Sequence, residues 1–190
     1  MSELEESIKS YFGVPNEENL ATIMSVFEFQ KIKKGAFLLK VGEYCRSLSF
    51  VQSGLLRMYI PTPDKDITQW ISTTGDFTTD LSSFIFETPS RLSIQALTDT
   101  EIFTLSKENY NRIGNEVSEW HELEKFFIIR CFVMLEERIF SHLSMTAEER
   151  YNVFFEKHRE LFHQVPLQYI ASLLGMSPET FSRIRKNLEK

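Results

Sequence analysis

The chain has 190 residues, a mass of 22.3 kDa and a net charge of −6, with 42% hydrophobic and 13% aromatic residues. That supplies apolar material for one domain or two small ones, and it excludes a disordered tail or a disulfide-stapled miniature. Two cysteines, Cys45 and Cys131, and no C-x-x-C pattern exclude a zinc knuckle, a disulfide framework and a four-thiolate iron–sulfur cluster.

The segment 1–10 carries three glutamates against one lysine and no apolar run, so a signal or transit peptide is not expected and a cytoplasmic protein is. From 27 to 106 the chain reads as short strands: 27–31, 37–40, 47–53, 55–60, 67–72, 92–97 and 101–105. Breaks fall at Gly35, Gly42, Gly54, 61–66 and Gly75. Many short strands with closely spaced turn signals predict an antiparallel sandwich or jelly roll, interrupted by a short helix or turn after Gly75.

Between Gly114 and Pro166 no glycine or proline occurs, which is a long helical signature. Trp120, Leu123, Phe126 to Ile129, Phe132, Val133, Leu135 and Ile139 ring this helix with apolar groups. Such a helix needs neighbours on more than one side. One side can meet the strand domain, and the surplus face predicts a second copy of the chain through residues 118–143. The most apolar stretch, 126–135, is interrupted by Arg130 and falls well short of the roughly 20 residues that span a bilayer, so no membrane partner is expected. Thr146 and Glu149 form a T-x-x-E capping box that starts a further helix.

Residues 1–105 carry 9 basic and 14 acidic side chains, 106–163 carry 8 and 11, and 164–190 carry 4 and 2. Only the last segment is positive, so phosphate contacts would belong there. In 167–186 (LQYIASLLGMSPETFSRIRK), Ile170, Leu173 and Leu174 share a helical side, Ala171 allows close approach, and Gly175 supplies a turn. Ser177 is a good N-cap, with Pro178 at the first helical position. Phe181, Ile184 and Leu188 are expected to face inward. Glu179, Ser182, Arg183 and Lys186 fall on the opposite stripe, flanked by Thr180 and Arg185. Short side chains and bidentate donors on such a stripe suit readout of the DNA major groove. A helical hairpin with a solvated charged face is the other reading of the same pattern.

Over nearly its whole length the sequence resembles the Crp/Fnr family of bacterial transcription regulators. The resemblance implies an α+β fold: an N-terminal antiparallel, jelly-roll-like β-roll of the cyclic-nucleotide-binding type over 1–106, a dimerisation helix region over 107–143, and a helix-turn-helix DNA-binding domain over 144–190. Glu179 and Arg183 match the family's base-reading positions and Gln168 a phosphate-contacting glutamine. Pro178 stands where a base-reading arginine often occurs. The wing that usually follows the recognition helix is expected to be absent, because the sequence stops at Lys190.

The resemblance also implies where an effector would bind. Family members that hold cyclic nucleotide carry Gly-Glu-Leu followed by Arg-Ser or Arg-Ala. Here the matching tripeptide is Thr79-Asp80-Leu81, and Arg91 is offset by one residue, which reverses a strand's face. A degenerate pocket is therefore expected, with cyclic-nucleotide binding through Arg91 as the alternative. No cofactor, metal or enzymatic activity is expected: all four histidines lie beyond residue 106 and no G-x-S-x-G occurs. The expected partners are double-stranded DNA with a palindromic operator, a second copy of the chain, and RNA polymerase. A protein-interaction module and a cupin-like enzyme are the readings from other classes; the enzyme would need a metal, and the module would show no steep salt dependence of DNA binding.

Overall fold

A computed structural model describes residues 3–13 and 16–188. Two N-terminal helices, α1 (Glu3–Phe12) and α2 (Glu17–Ser25), precede strands β1 (Glu28–Ile32), β2 (Phe37–Leu39), β3 (Ser47–Ser53), β4 (Leu56–Pro61), β5 (Asp66–Ser72) and β6 (Phe77–Thr78). A short helix, α3 (Leu81–Phe86), separates these from β7 (Ser93–Ala96) and β8 (Thr100–Ser106). Helices α4 (Lys107–Glu116), α5 (Trp120–Ser144), α6 (Ala147–Lys157), α7 (Leu161–Gln164), α8 (Leu167–Leu173) and α9 (Pro178–Leu188) complete the chain.

The strands form two antiparallel four-stranded sheets, ordered β1-β8-β3-β6 and β2-β7-β4-β5. Alternation along the strands turns Leu48, Phe50, Leu56, Ile94, Ala96 and Ile102 into the space between them. The turn at Gly54 (φ +92°) is forced: a Cβ there would stand 2.6 Å from the Asp99 carbonyl oxygen and 2.8 Å from Thr100 Cα.

The roll's core continues into the helices. Phe12 of α1 stacks on Phe127 of α5 (4.7 Å between centroids) and on Trp120 (5.7 Å), while Phe77 meets Phe12 and Phe127 edge-on. A second apolar cluster joins α6 to α9: Tyr151, Leu161, Ile170, Ala171, Phe181 and Ile184 pack together, and Leu55 and Ile71 of the roll belong to the same cluster. The C-terminal helices therefore share buried surface with the strand domain.

The long helix begins at Trp120 and not at Lys107. Lys107–Glu116 is a separate helix that starts on the Ser106 N-cap and buries Tyr110 and Ile113 in the roll's core, so it belongs packed with the strands. The two-residue strand β6 escaped the sequence reading because its pairing is only two residues deep against β3. Among the described residues no helix is long and apolar enough to cross a membrane.

Candidate functional site

Three features carry the functional argument: the cassette in the roll, the α5 surface and the C-terminal helix pair. In the cassette, Asp80 is buried and both its carboxylate oxygens are occupied. One caps α3 by accepting from the Ser83 N–H (3.2 Å), and the other accepts from the Ser90 hydroxyl at 2.7 Å. The Thr79 hydroxyl donates to the Ser47 carbonyl (2.9 Å) and lies 3.2 Å from Cys45 Sγ. Ser83 in turn accepts from the Cys45 N–H at 2.9 Å. The polar groups that could have met a ligand are thus spent on the start of β3, the start of α3 and the segment before β7.

Two cavities flank this cassette. One, of about 250 Å³, is lined by Leu39, Cys45, Ser47, Thr79 and Ile94 among others. The other, of about 140 Å³, lies between the roll and α5, with Leu81, Phe77, Thr79, Phe127 and Cys131 in its wall. Arg91 is exposed and belongs to the lining of neither. Tyr11 and Asp76 also border the smaller cavity. Burial pushes the Tyr11 phenol up to about 12 and raises the Asp76 carboxyl above the usual range, although Asp76 accepts from the Thr73 N–H and hydroxyl.

On α5, Trp120, Leu123 and Phe127 are buried against the roll and the opposite side is bare. Phe132 is 64% exposed, Ile139 60%, Phe140 66% and Leu143 82%. Ile129, Phe132, Glu136, Ile139 and Leu143 follow alternating spacings of three and four, a seam of the kind that pairs two helices.

In the C-terminal pair, Gly175 takes φ +68°, and a Cβ there would lie 3.1 Å from the His142 ring, so glycine lets α5 approach the turn. Ser177 caps α9: its hydroxyl accepts from the Thr180 N–H at 3.2 Å. Phe181 and Ile184 are buried, with Phe181 against Tyr151 at 5.2 Å. Leu188, expected inward, is 46% exposed, because α9 outruns the helices beneath it. Gln168, Glu179, Ser182, Arg183 and Lys186 are exposed, and Thr180 and Arg185 are half-buried. The hydroxyl of Ser177 beside Glu179 holds that carboxyl below the usual range, so it is an acceptor only at neutral pH.

Sequence reasoning missed how α8 docks. Arg57 of β4 is 2% exposed; its guanidinium carbon lies 4.2 Å from the Tyr59 ring centroid and 3.6 Å from that of Tyr169 in α8. It also donates to Thr68 Oγ1 (3.0 Å) and pairs with Asp66 at 3.3 Å. Beside it the Thr68 N–H donates to the Ser172 hydroxyl at 2.9 Å. The Asp80 cap had a signal, an Asp three residues before Ser83 at a helix start; the Arg57 stack had none.

A roll of two antiparallel sheets, capped by α4 and crossed by α5, is the arrangement that comparison resolves. Residues 29–116 match the cyclic nucleotide-binding domain family. No curated protein matches the chain. Among solved structures the fold is similar to that of FixK2 from Bradyrhizobium japonicum, with a TM-score of 0.72, 19% identity, and 86% of this chain and 85% of that one covered. The catabolite activator protein of Thermus thermophilus gives 0.56 at 23% identity, covering 94% and 86%. The regulatory domain of Toxoplasma gondii PKA with cAMP gives 0.53 at 20%, covering 58% and 43%. The chain spans about two fifths of the length of the kinase regulatory chains it matches. The matched residues end with α4 and leave α5 to α9 outside.

Proposed function

We infer that the protein is a homodimeric, sequence-specific DNA-binding regulator of the Crp/Fnr type and not an enzyme. The observation that carries this is the C-terminal pair: α9 stands on a buried Phe181–Ile184 base, and its opposite stripe of Glu179, Ser182, Arg183 and Lys186 is exposed. A rigid helix with a free polar stripe is what insertion into the major groove requires. The fold shared with FixK2 and the Thermus protein supports the same reading. A two-fold pairing along the α5 seam would set two α9 helices on half-sites about one helical turn apart, on a palindromic operator. RNA polymerase is the further partner of such a regulator.

Arg183 donates to a guanine edge, Glu179 accepts from a cytosine amine, and Gln168 and Lys186 hold phosphates, with Ser177, Thr180, Ser182 and Arg185 around them. Selection of bound sequences from a random DNA pool tests the reading, and a palindromic product is expected. Arg183→Ala costs about 1 to 3 kcal/mol and relaxes preference at one base pair, whereas Lys186→Ala weakens all sequences alike. Equal losses for Arg183→Ala on selected and random DNA would overturn the assignment.

In this reading the roll binds cyclic nucleotide weakly or not at all. Asp80 and Thr79 are committed to Ser83, Ser90 and Ser47, and a cyclic phosphate left without a paired cation is expensive to desolvate. Calorimetric titration with cyclic AMP and cyclic GMP checks this; low-micromolar binding lost in Arg91→Ala would establish the alternative, a cyclic-nucleotide-responsive regulator.

A further inference from the structure

A cavity bordering α5 lies outside the cassette. It has a volume of about 410 Å³, within the range of small-molecule sites, and its walls come from β5, α5, α6 and the end of α8. Trp70, Met134, Val153, Phe154 and Leu173 make most of it apolar. Thr79, Asp80 and Leu81 take no part in it.

Its polar side is cationic in an unusual way. Arg138 donates to the main-chain carbonyls of Gln69 and Leu173, the latter at 3.2 Å. Arg150 donates to those of Leu174 (3.0 Å) and Met145 (2.7 Å). Both side chains are half-buried, and among the described residues neither forms an ion pair with a carboxylate. Carbonyl dipoles hold the two guanidinium groups in place without neutralising them, and withdrawal from water disfavours the charge on Arg138. Lys157, His142 and His158 complete the basic lining. The acids facing it are Glu137, which is exposed, and Asp76, whose carboxylate is engaged by Thr73. An apolar chamber with two fixed, unneutralised guanidinium groups is short of one thing, an anion carried on an apolar body.

We propose that this cavity binds a small amphipathic organic anion, a carboxylate or sulfonate on an aromatic or branched aliphatic body, with Arg138 and Arg150 meeting the acid group and Trp70, Val153 and Phe154 the body. The site bridges the units of the molecule. Both arginines hold carbonyls at the C-terminal end of α8, and the Thr68 N–H bonds Ser172 in the same helix. A ligand here therefore favours the arrangement in which α8 lies against β5, because it binds that arrangement and not one in which its walls have parted.

The test is calorimetric titration of the full chain with 1-naphthaleneacetate, phenylacetate and octanoate, and it needs no DNA, so its outcome is independent of the DNA-binding reading. At least one probe is expected to bind at one site per chain with a Kd below about 100 μM. The neutral 1-naphthaleneacetamide should bind at least about tenfold more weakly than its acid, and excess cyclic AMP should not displace the acid. Val153→Phe, which fills the chamber from a partly exposed helix position, should abolish binding while circular dichroism stays unchanged. Absence of binding by all three probes overturns the proposal. So does equal affinity for acid and amide, or binding that survives Val153→Phe; and should that variant fail to fold, the acid–amide comparison on the unaltered chain still decides.

Discussion

Arg57 shows how much one side chain can organise. A cation with 2% exposure would be costly alone, yet it is held by Asp66, Thr68 and two tyrosine faces, one of them from α8. Arg57→Met keeps the apolar stem but strands these partners, and is expected to destabilise the fold by about 2 to 3 kcal/mol in urea unfolding. Tyr169→Ala removes only one stacking face and should cost about 1 to 2 kcal/mol, with amide exchange in α8 rising more than in β4. Equal exchange increases in both elements would show that the stack does not hold α8 to the roll.

At the scale of elements, end chemistry and seam composition decide. Thr146 and Glu149 satisfy each other's main-chain donors in a full capping box at the start of α6. Thr146→Ala is expected to lower stability by about 1 kcal/mol. The Thr146 N–H and hydroxyl hold the Glu149 carboxyl below the usual range. Its contribution is thus present above the ordinary glutamate pKa and is lost as pH falls through the depressed one. The stability difference between the native chain and Glu149→Gln should shrink on acidification from about pH 7 to about pH 3, followed by thermal unfolding. On α5, Glu136 interrupts an otherwise apolar seam, and in a parallel two-fold pair it would face its own copy. Glu136→Leu should therefore tighten self-association in sedimentation equilibrium; weakened association would place the seam elsewhere on the helix.

At the scale of the whole molecule, α5 is about 37 Å long by its 25 residues and carries a long run of exposed apolar side chains. A dimer at micromolar concentration is the expected state, and a monomer that remains monomeric on DNA would remove the two-fold operator from the functional reading. The net charge of −6 opposes DNA binding globally, while the positive segment 164–190 favours it locally. Affinity for the selected operator should fall linearly on a log–log plot against salt. A flat salt response would favour a protein-interaction module.

By itself the sequence determined the features whose causes are local: the succession of short strands, turns at Gly54 and Gly175, the caps at Thr146 and Ser177, the all-round apolar α5 and the two stripes of α9. Each depends on residues within a few positions of one another, where periodicity and turn chemistry act directly. The break between α4 and α5 was missed because no glycine or proline marks it; Val117 and Trp120 turn into the core there. Tertiary structure alone decided that Arg57 meets Tyr169 and that Arg138 and Arg150 reach the carbonyls at one end of α8. Those groups come from distant stretches of chain, and a buried cation leaves no periodic mark in a sequence, so only the path of the folded backbone could bring them together.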